Sequence, residues 1–97
     1  MLVSYPAIFY YSPSELGYYV HFPDIDGSGT QGDTIEDALF MASDYLGIIA
    51  SDLLETEGKL PKKSSIKDLS IIDDFPFKDD ADFEGYYDED KSFISMV

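Results

Sequence analysis

The residues of this chain that could do chemistry are a single histidine and a large set of carboxylates. Among the 97 residues, 20 are Asp or Glu, six are Lys, none is Arg or Cys, and His21 is the one histidine. A serine–histidine–aspartate triad can be written for any chain with a histidine, and no nucleophile-elbow spacing supports one here. We therefore interpret His21 as a surface or interface residue, and we expect no catalytic residues and no enzymatic activity.

Three carboxylates beside a glycine-rich segment are the best candidates for a metal or phosphate site. Asp24, Asp26 and Asp33 surround residues 27–32, and clustered carboxylates can hold Mg²⁺ or Ca²⁺. A calcium loop that began at Asp24 would need Glu at its twelfth position, which is Ile35. The glycine-rich segment lacks the lysine of a P-loop, and its acidic flanks repel phosphate. We expect neither a bound metal nor a cofactor.

The net charge of −14 is the most informative property of the composition. Proteins bind nucleic-acid backbones through Lys and Arg, so we expect no direct contact between this chain and DNA or RNA. A strongly acidic domain suits a basic protein partner, because opposite fields speed encounter and fix orientation. The other interpretation is that the acidity only keeps a small protein in solution.

The carboxylates fall into two groups that could contact a basic partner. The first, which we call the loop cluster, comprises Asp24, Asp26, Asp33, Glu36 and Asp37. The second, the acidic–aromatic strip, spans residues 73–90. Its candidate contact residues are Asp73, Asp74, Phe75, Phe77, Asp79, Asp80, Asp82, Glu84, Tyr86 and Tyr87. In one interpretation its carboxylates meet Lys and Arg while its rings pack against apolar surface; in the other it is a solvated, partly disordered loop.

Four strands are indicated by runs of aromatic and β-branched residues. Residues 2–11 and 18–22 form a hairpin about six residues apart, residues 28–32 form a short third strand, and residues 92–97 form the last. Pro6 cannot donate to a ladder and predicts an edge at that point. Both alternating sets of the first strand are apolar, so either both of its faces are covered or one face awaits a partner.

One long helix is predicted from residue 35 to about residue 57. Thr34 is a suitable N-cap with Asp37 three residues on, and Gly58 ends the stretch. Between them an apolar stripe recurs at helical spacing; its members are Ile35, Ala38, Leu39, Ala42, Tyr45, Leu46, Ile49, Leu53 and Leu54. Phe40, Met41 and Ile48 lie off the main apolar stripe; they widen it or mark a second contact surface. With one helical turn at residues 66–69, we predict a single α+β domain of order β-β-β-α-β, with one helix across an antiparallel sheet.

Three spaced blocks of this sequence together resemble the HicB antitoxin family. They are the Tyr5-Pro6-Ala7 start, the aromatic strand that runs into Phe22-Pro23-Asp24, and the start of the helix at Thr30-Gln31-Gly32-Asp33-Thr34. The resemblance covers roughly residues 5–57. It departs where the Pro and Cys of the family pattern are Asp26 and Ser28 here, which touches no catalytic requirement.

The resemblance implies a partial ribonuclease-H-like fold and a function in a toxin–antitoxin pair. The implied partner is a HicA-type toxin, a small basic RNA-cleaving protein whose active site and RNA surface the antitoxin covers. Family antitoxins form dimers or higher oligomers, and we expect self-association through exposed strand surface. They often add a C-terminal module that binds operator DNA and regulates transcription. We expect the native protein to be longer than 97 residues and to carry such a module, because the sequence stops at Ser95-Met96-Val97 within an apparent strand and the family usually has one.

Two other functions stay open at this point. A ribonuclease-H-like hydrolase would show metal-dependent cleavage of RNA, and a generic acidic adaptor would bind no toxin. The chain has no signal-peptide pattern and no apolar run of the ~20 residues that a membrane helix needs. We expect a cytoplasmic protein without membrane contact.

Overall fold

The computed structural model describes residues 3–97, and it has the predicted α+β organisation. The chain forms β1 (Pro6–Ser12), β2 (Gly17–His21), β3 (Thr30–Gly32), α1 (Ile35–Glu57) and β4 (Asp88–Met96). Two single 3₁₀ turns, Ile66–Asp68 and Ala81–Phe83, lie between α1 and β4. The strands form one sheet in the order β3-β2-β1-β4, with every neighbouring pair antiparallel. The order β-β-β-α-β is therefore confirmed, and the ribonuclease-H-like assignment stays a prediction.

The predicted hairpin of β1 and β2 is the centre of the sheet. Its register runs from Ile8 opposite His21 to Ser12 opposite Gly17. Residues 13–16 make the turn, which ends at Leu16 in the left-handed region with φ of 54°. Pro6 opens β1 and pairs only with Met96 of β4, because the pairing with β2 begins at Ile8. A missing N–H therefore interrupts no ladder on the β2 side.

Helix α1 begins and ends where the sequence predicts. The Thr34 hydroxyl accepts a hydrogen bond from the Asp37 N–H at 3.1 Å, which satisfies one of the free donors of the first turn. At the other end Gly58 adopts φ of 73°, and its N–H donates to the Leu54 carbonyl at 3.1 Å. Glycine suits this left-handed C-cap because it has no Cβ to clash there.

The helix packs closely on one face of the sheet through small residues. Ala38, Ala42 and Ala50 are buried together with Leu46 and contribute little bulk, so the backbone of α1 lies near β3 and β2. A Cβ on Gly32 would lie 2.5 Å from the Ala38 nitrogen, so β3 and the first turn of α1 meet only with glycine at that position.

The core beneath the helix contains side chains from both central strands, chiefly Phe9, Val20 and Phe22. Two residues of the predicted helical stripe, Ile35 and Leu39, are 45% and 39% exposed. At the start of the helix, the predicted apolar stripe is therefore wider than the face that packs on the sheet.

The opposite face of the sheet is covered by the acidic–aromatic strip. Ile8 and Tyr10 of β1 are fully buried there against Phe75, with Phe77, Phe83, Tyr86 and Tyr87 packed around them. Of the two alternatives for the first strand, the structure therefore shows the one in which both faces are covered. The last residues of the strip are also the first residues of β4, which begins at Asp88, four residues before the predicted start.

A membrane-spanning segment is absent from the described residues. Within residues 3–97, no helix combines the length and the hydropathy that a membrane crossing requires.

Candidate partner-binding surfaces

The loop cluster divides into one structural carboxylate and four that face solvent. Asp24 is half-buried and accepts hydrogen bonds from the N–H and the hydroxyl of Ser64, the former at 2.9 Å. It ties the lysine-containing connector after α1, residues 59–65, to the loop after β2. The Tyr5 hydroxyl donates to the Pro61 carbonyl, and the Lys63 ammonium lies 5.4 Å from the Tyr5 ring centroid, so the same connector is held twice more. We therefore assign Asp24 a structural role.

The other carboxylates of the loop cluster are exposed. Asp26 lies in the loop, and Asp33, Glu36 and Asp37 lie at the start of α1. Acidic residues are favourable at the start of a helix, because its N-terminal end carries partial positive charge. Four of the five residues of the loop cluster are therefore exposed, and their contact with a partner stays a prediction.

The rings of the acidic–aromatic strip are used inside the chain. Phe75 is only 4% exposed, and its ring lies 4.9 Å from that of Tyr10 and 4.8 Å from that of Tyr87. Phe77 stacks on Phe83 with the ring centroids 4.4 Å apart. Phe75 is thus a core residue, and the rings of Phe77, Tyr86 and Tyr87 are half-buried.

The strip is also tied to the sheet by a buried hydroxyl. The Tyr10 hydroxyl donates to the Ile71 carbonyl at 2.7 Å. Burial raises the pKa of Tyr10 well above its ordinary value, with Tyr87 and Asp74 adding to the effect. The phenol therefore stays protonated and remains a donor. The strip is therefore packed on the sheet as an integral part of the fold.

The carboxylates of the strip project from this aromatic layer. Asp73, Asp79, Asp80, Asp82 and Glu84 are exposed. Three carboxylates of the strip have local backbone partners as well. Asp74 accepts from the Ser70 N–H at 2.8 Å, Asp80 from the Asp82 N–H at 3.0 Å, and Asp88 from the Asp90 N–H at 3.0 Å. The strip therefore presents charge outward on a layer of rings that faces inward.

The two acidic groups lie mostly on opposite sides of the sheet and approach each other at one end. Helix α1 lies on the side of Phe9 and Val20, and the strip lies on the side of Ile8 and Tyr10. A shallow cleft of about 170 Å³ beside the hairpin turn is lined by Glu15, Asp33 and Tyr86, among others. Residues of the two groups therefore share this concavity.

His21 lies on the strip side of the sheet and is partly buried. Its Nδ1 lies 3.3 Å from the Ser28 carbonyl oxygen, which suits an Nδ1–H donor. Burial lowers the pKa of His21, while the bond to Ser28 and the charges of Asp74 and Asp26 act in the opposite direction. Ser28, at the position of the family cysteine, is buried and bonds through its hydroxyl to both backbone groups of Phe22. This pair holds the loop after β2.

No group of three or more His, Asp or Glu side chains in residues 3–97 is arranged to hold a metal ion.

The outer side of α1 is an exposed surface outside both the loop cluster and the strip. Phe40 is 69% exposed, Ile48 64% and Met41 38%. They do not widen the core stripe, which excludes one of the two interpretations drawn from the sequence. Their positions off the apolar stripe of the helix were the sequence signal that could have indicated a contact surface here.

Comparison with known proteins gives consistent matches. The sequence model described as "HicB_like antitoxin of bacterial toxin-antitoxin system" matches residues 4–79. "Antitoxin HicB 1" from Photorhabdus laumondii is 49% identical over 47 residues, which is 48% of this chain and 30% of that protein. The chain thus spans less than a third of this curated relative.

Two solved structures match as well. A toxin–antitoxin complex from Streptococcus pneumoniae contains a chain that is 56% identical, with a TM-score of 0.92 over 100% of this chain and 68% of the other. A "HicA3 and HicB3 toxin-antitoxin complex" matches with a TM-score of 0.61 at 21% identity, over 98% of this chain and 95% of the other. The latter supports the fold alone.

Proposed function

Because this chain belongs to the HicB-like antitoxin family of bacterial toxin–antitoxin systems, we propose that it binds and neutralises a HicA-type RNA-cleaving toxin. The observation that carries the proposal is the family match over residues 4–79 on a chain with a net charge of −14. The solved toxin–antitoxin complex that matches over the whole chain supports a toxin as the partner.

The proposed mechanism is competition for the groups that hold RNA. A ribonuclease must present Lys and Arg to the phosphates of its substrate, and those groups attract carboxylates as well. The antitoxin covers the active site and the RNA surface of the toxin, so that substrate no longer enters. No chemical step is required of the antitoxin, in keeping with a non-catalytic role.

Both acidic groups are proposed contacts. The exposed members of the loop cluster and of the strip supply steering charge, and the half-buried rings Phe77, Tyr86 and Tyr87 offer partial apolar surface beside it. Phe75 contributes by holding the strip in place, because it is buried in the chain.

The test is inhibition of RNA cleavage by the cognate toxin, for which we expect a short basic reading frame beside that of this protein. Wild-type chain should abolish cleavage at equimolar ratio, and the chain alone with Mg²⁺ should cleave no RNA. Lys in place of Asp79, Asp80 and Asp82 should weaken binding, most visibly at low salt. Cleavage that continues unchanged with excess antitoxin would refute the function, and cleavage by the chain alone would favour the hydrolase.

A charge-matched control separates the strip from net charge. Lys in place of Glu15, Glu57 and Asp68 changes the total charge by the same amount at exposed positions outside the strip and outside the loop cluster. If both triple variants lose the same affinity, the strip has no specific role.

Self-association is proposed to use the edge of the sheet. Both faces of β1 are covered, and β4 is the last strand on its side of the sheet in the part of the chain that the structure describes. An open strand edge can pair with a second copy. Sedimentation at high protein concentration tests this, and a strictly monomeric boundary would contradict it.

Operator binding and location complete the proposal. The charge of these 97 residues opposes contact with phosphates, so we assign any binding of operator DNA, and the autoregulation that follows, to a separate module. The antitoxin acts in the cytoplasm, where the toxin meets RNA.

A further inference from the structure

The outer side of α1 carries apolar residues that nothing in the described chain covers. Phe40 and Ile48 are 69% and 64% exposed and lie eight residues apart, about 12 Å along the helix axis. Ile48 also lines a shallow groove on this side of the helix, together with Asp44, Gly47, Ser51, Asp52 and Glu55. Large exposed side chains grouped on one element mark interaction sites more often than isolated ones do.

Gly47 is a second, independent feature of this groove. Glycine inside a helix costs about 0.5–1 kcal/mol relative to alanine, because it loses more backbone freedom on folding. A Cβ added at Gly47 would meet no atom within 4 Å, and its backbone has no positive φ. No contact within the described chain therefore requires glycine at this position. A closely approaching partner would require it, because only glycine leaves the helix backbone open.

The charge of α1 decides which partner fits this side. Of its 23 residues six are Asp or Glu and none is Lys or Arg. Glu55 and Glu57 lie in the last turn, where the helix dipole disfavours carboxylates, and no basic residue offsets them there. A second copy of the same helix would bring like charges together. A basic surface would instead neutralise them.

The strip cannot offer the same kind of anchor. Tight interfaces depend on a few well-packed apolar or aromatic side chains surrounded by polar groups. The rings of the strip are packed against Ile8 and Tyr10 inside the chain, whereas Phe40 and Ile48 are free. The outer side of α1 is also continuous with the exposed carboxylates Glu36 and Asp37 at the start of the helix.

We propose that the outer side of α1, from Phe40 to Glu55, is the anchoring surface for the basic toxin. Apolar side chains of the toxin pack against Phe40 and Ile48, and a Lys or Arg of the toxin crosses the helix backbone at Gly47 to reach Asp44. This inference rests on the proposed function, since the occupant is the toxin. It assigns the anchors to the helix and leaves the strip to long-range steering.

The first test replaces the apolar anchors and measures binding to catalytically inactive toxin by surface plasmon resonance. Phe40→Ser with Ile48→Ser should raise the dissociation rate at least ~30-fold, the effect of losing hot-spot contacts. The control replaces two comparably exposed residues elsewhere, Leu16→Asn with Ile72→Ser, which are 70% and 52% exposed. The control should bind within ~3-fold of wild type, as expected for changes outside the interface.

The second test uses Gly47→Ala, which separates binding from folding. Alanine should raise the midpoint of urea unfolding, because the site is helical and open. The same variant should bind the toxin at least ~10-fold more weakly, because the added methyl group blocks close approach. A general loss of structure would lower both quantities together, so it cannot imitate this result.

The outcomes separate this inference from the function on which it rests. Wild-type chain that fails to bind toxin refutes both. Wild-type binding that survives Phe40→Ser/Ile48→Ser and Gly47→Ala but is lost with the strip variants refutes the inference alone. If the double variant instead abolishes self-association and leaves toxin binding intact, the outer side of α1 is an interface between copies, and the inference is wrong.

Discussion

At the scale of single residues, His21 shows how a lone histidine is absorbed into a fold. It belongs to the face of β2 that the strip covers, and its ring is bonded to the loop after β2 through Ser28. Burial disfavours its charged form, while Asp74 and Asp26 favour it. Since burial is the largest of these effects, the folded protein holds His21 neutral at a pH where the unfolded chain already binds a proton.

The stability of the protein should therefore depend on His21 below neutral pH. Because the folded pKa lies below the ordinary value of 6.5, the unfolded state binds more protons as the pH falls through 6.5, and folding weakens. Above that pH the residue has no such effect. His21→Gln should thus gain stability relative to wild type as the pH falls from 8 to 5.5.

Paired urea titrations of the two proteins at each pH measure this difference. Groups that do not interact with residue 21 contribute equally to both curves, so their effect cancels in the difference. Parallel stability curves for wild type and variant would show that burial does not perturb His21.

Gly32 carries a second residue-scale prediction, because it lies where β3 meets α1. A Cβ there would lie 2.5 Å from the Ala38 nitrogen and 2.6 Å from its Cα. Backbone cannot move aside as a flexible side chain can, so Gly32→Ala should destabilise the fold by about 1–3 kcal/mol. Gly47→Ala is the matched control and should stabilise it. Unfolding midpoints that fall in the reverse order would contradict the packing of α1 on β3.

At the scale of elements, the acidic–aromatic strip serves as the second cover of the sheet. A sheet with two apolar faces needs a layer on each side, and α1 supplies only one. The strip supplies the other without a long helix, through one cluster of rings and short turns. Its charges are confined to the outer side because its rings are turned inward.

The strip should therefore contribute to folding as a core element does. Phe75→Ala should cost about 3–5 kcal/mol, as for a buried ring in a packed core. Phe40→Ala should change stability by less than about 0.5 kcal/mol, as for an exposed residue. Denaturant unfolding of both variants tests the contrast. Equal losses, or a Phe75→Ala variant as stable as wild type, would show that the strip is not part of the cooperative fold.

At the scale of the whole molecule, the charge of −14 gives the protein a field that extends beyond any single contact. Salt screens such fields within about 10 Å at 0.1 M ionic strength, while short-range packing at an anchor is hardly affected. The association rate with a basic toxin should fall at least about tenfold between ~0.05 M and ~0.5 M salt, and the dissociation rate should change little.

Stopped-flow association at several salt concentrations measures this prediction. The strip variant with Lys at positions 79, 80 and 82 should show a shallower slope. A salt effect that lies mainly in the dissociation rate would place the carboxylates inside the interface and not in its surroundings.

The sequence by itself determined the elements and the class of the fold. Thr34 and Gly58 mark the ends of α1 because capping depends on the residues next to the helix, and the β1–β2 hairpin follows from two adjacent aromatic runs. The net charge and the three motif blocks are likewise properties of the sequence, so they indicate the antitoxin family without the tertiary structure.

Only the tertiary structure decided which residues remain available to a partner. Phe75 and Phe40 are both phenylalanines with an acid within three residues in the sequence, yet one is buried against Tyr10 and the other is exposed. Asp24 and Asp26 lie two residues apart, yet only Asp24 is bonded to Ser64. Exposure is set by contacts between segments far apart in the chain, such as residues 10 and 75 or 24 and 64. No local pattern encodes those contacts, because they exist only once the sheet has both of its covers.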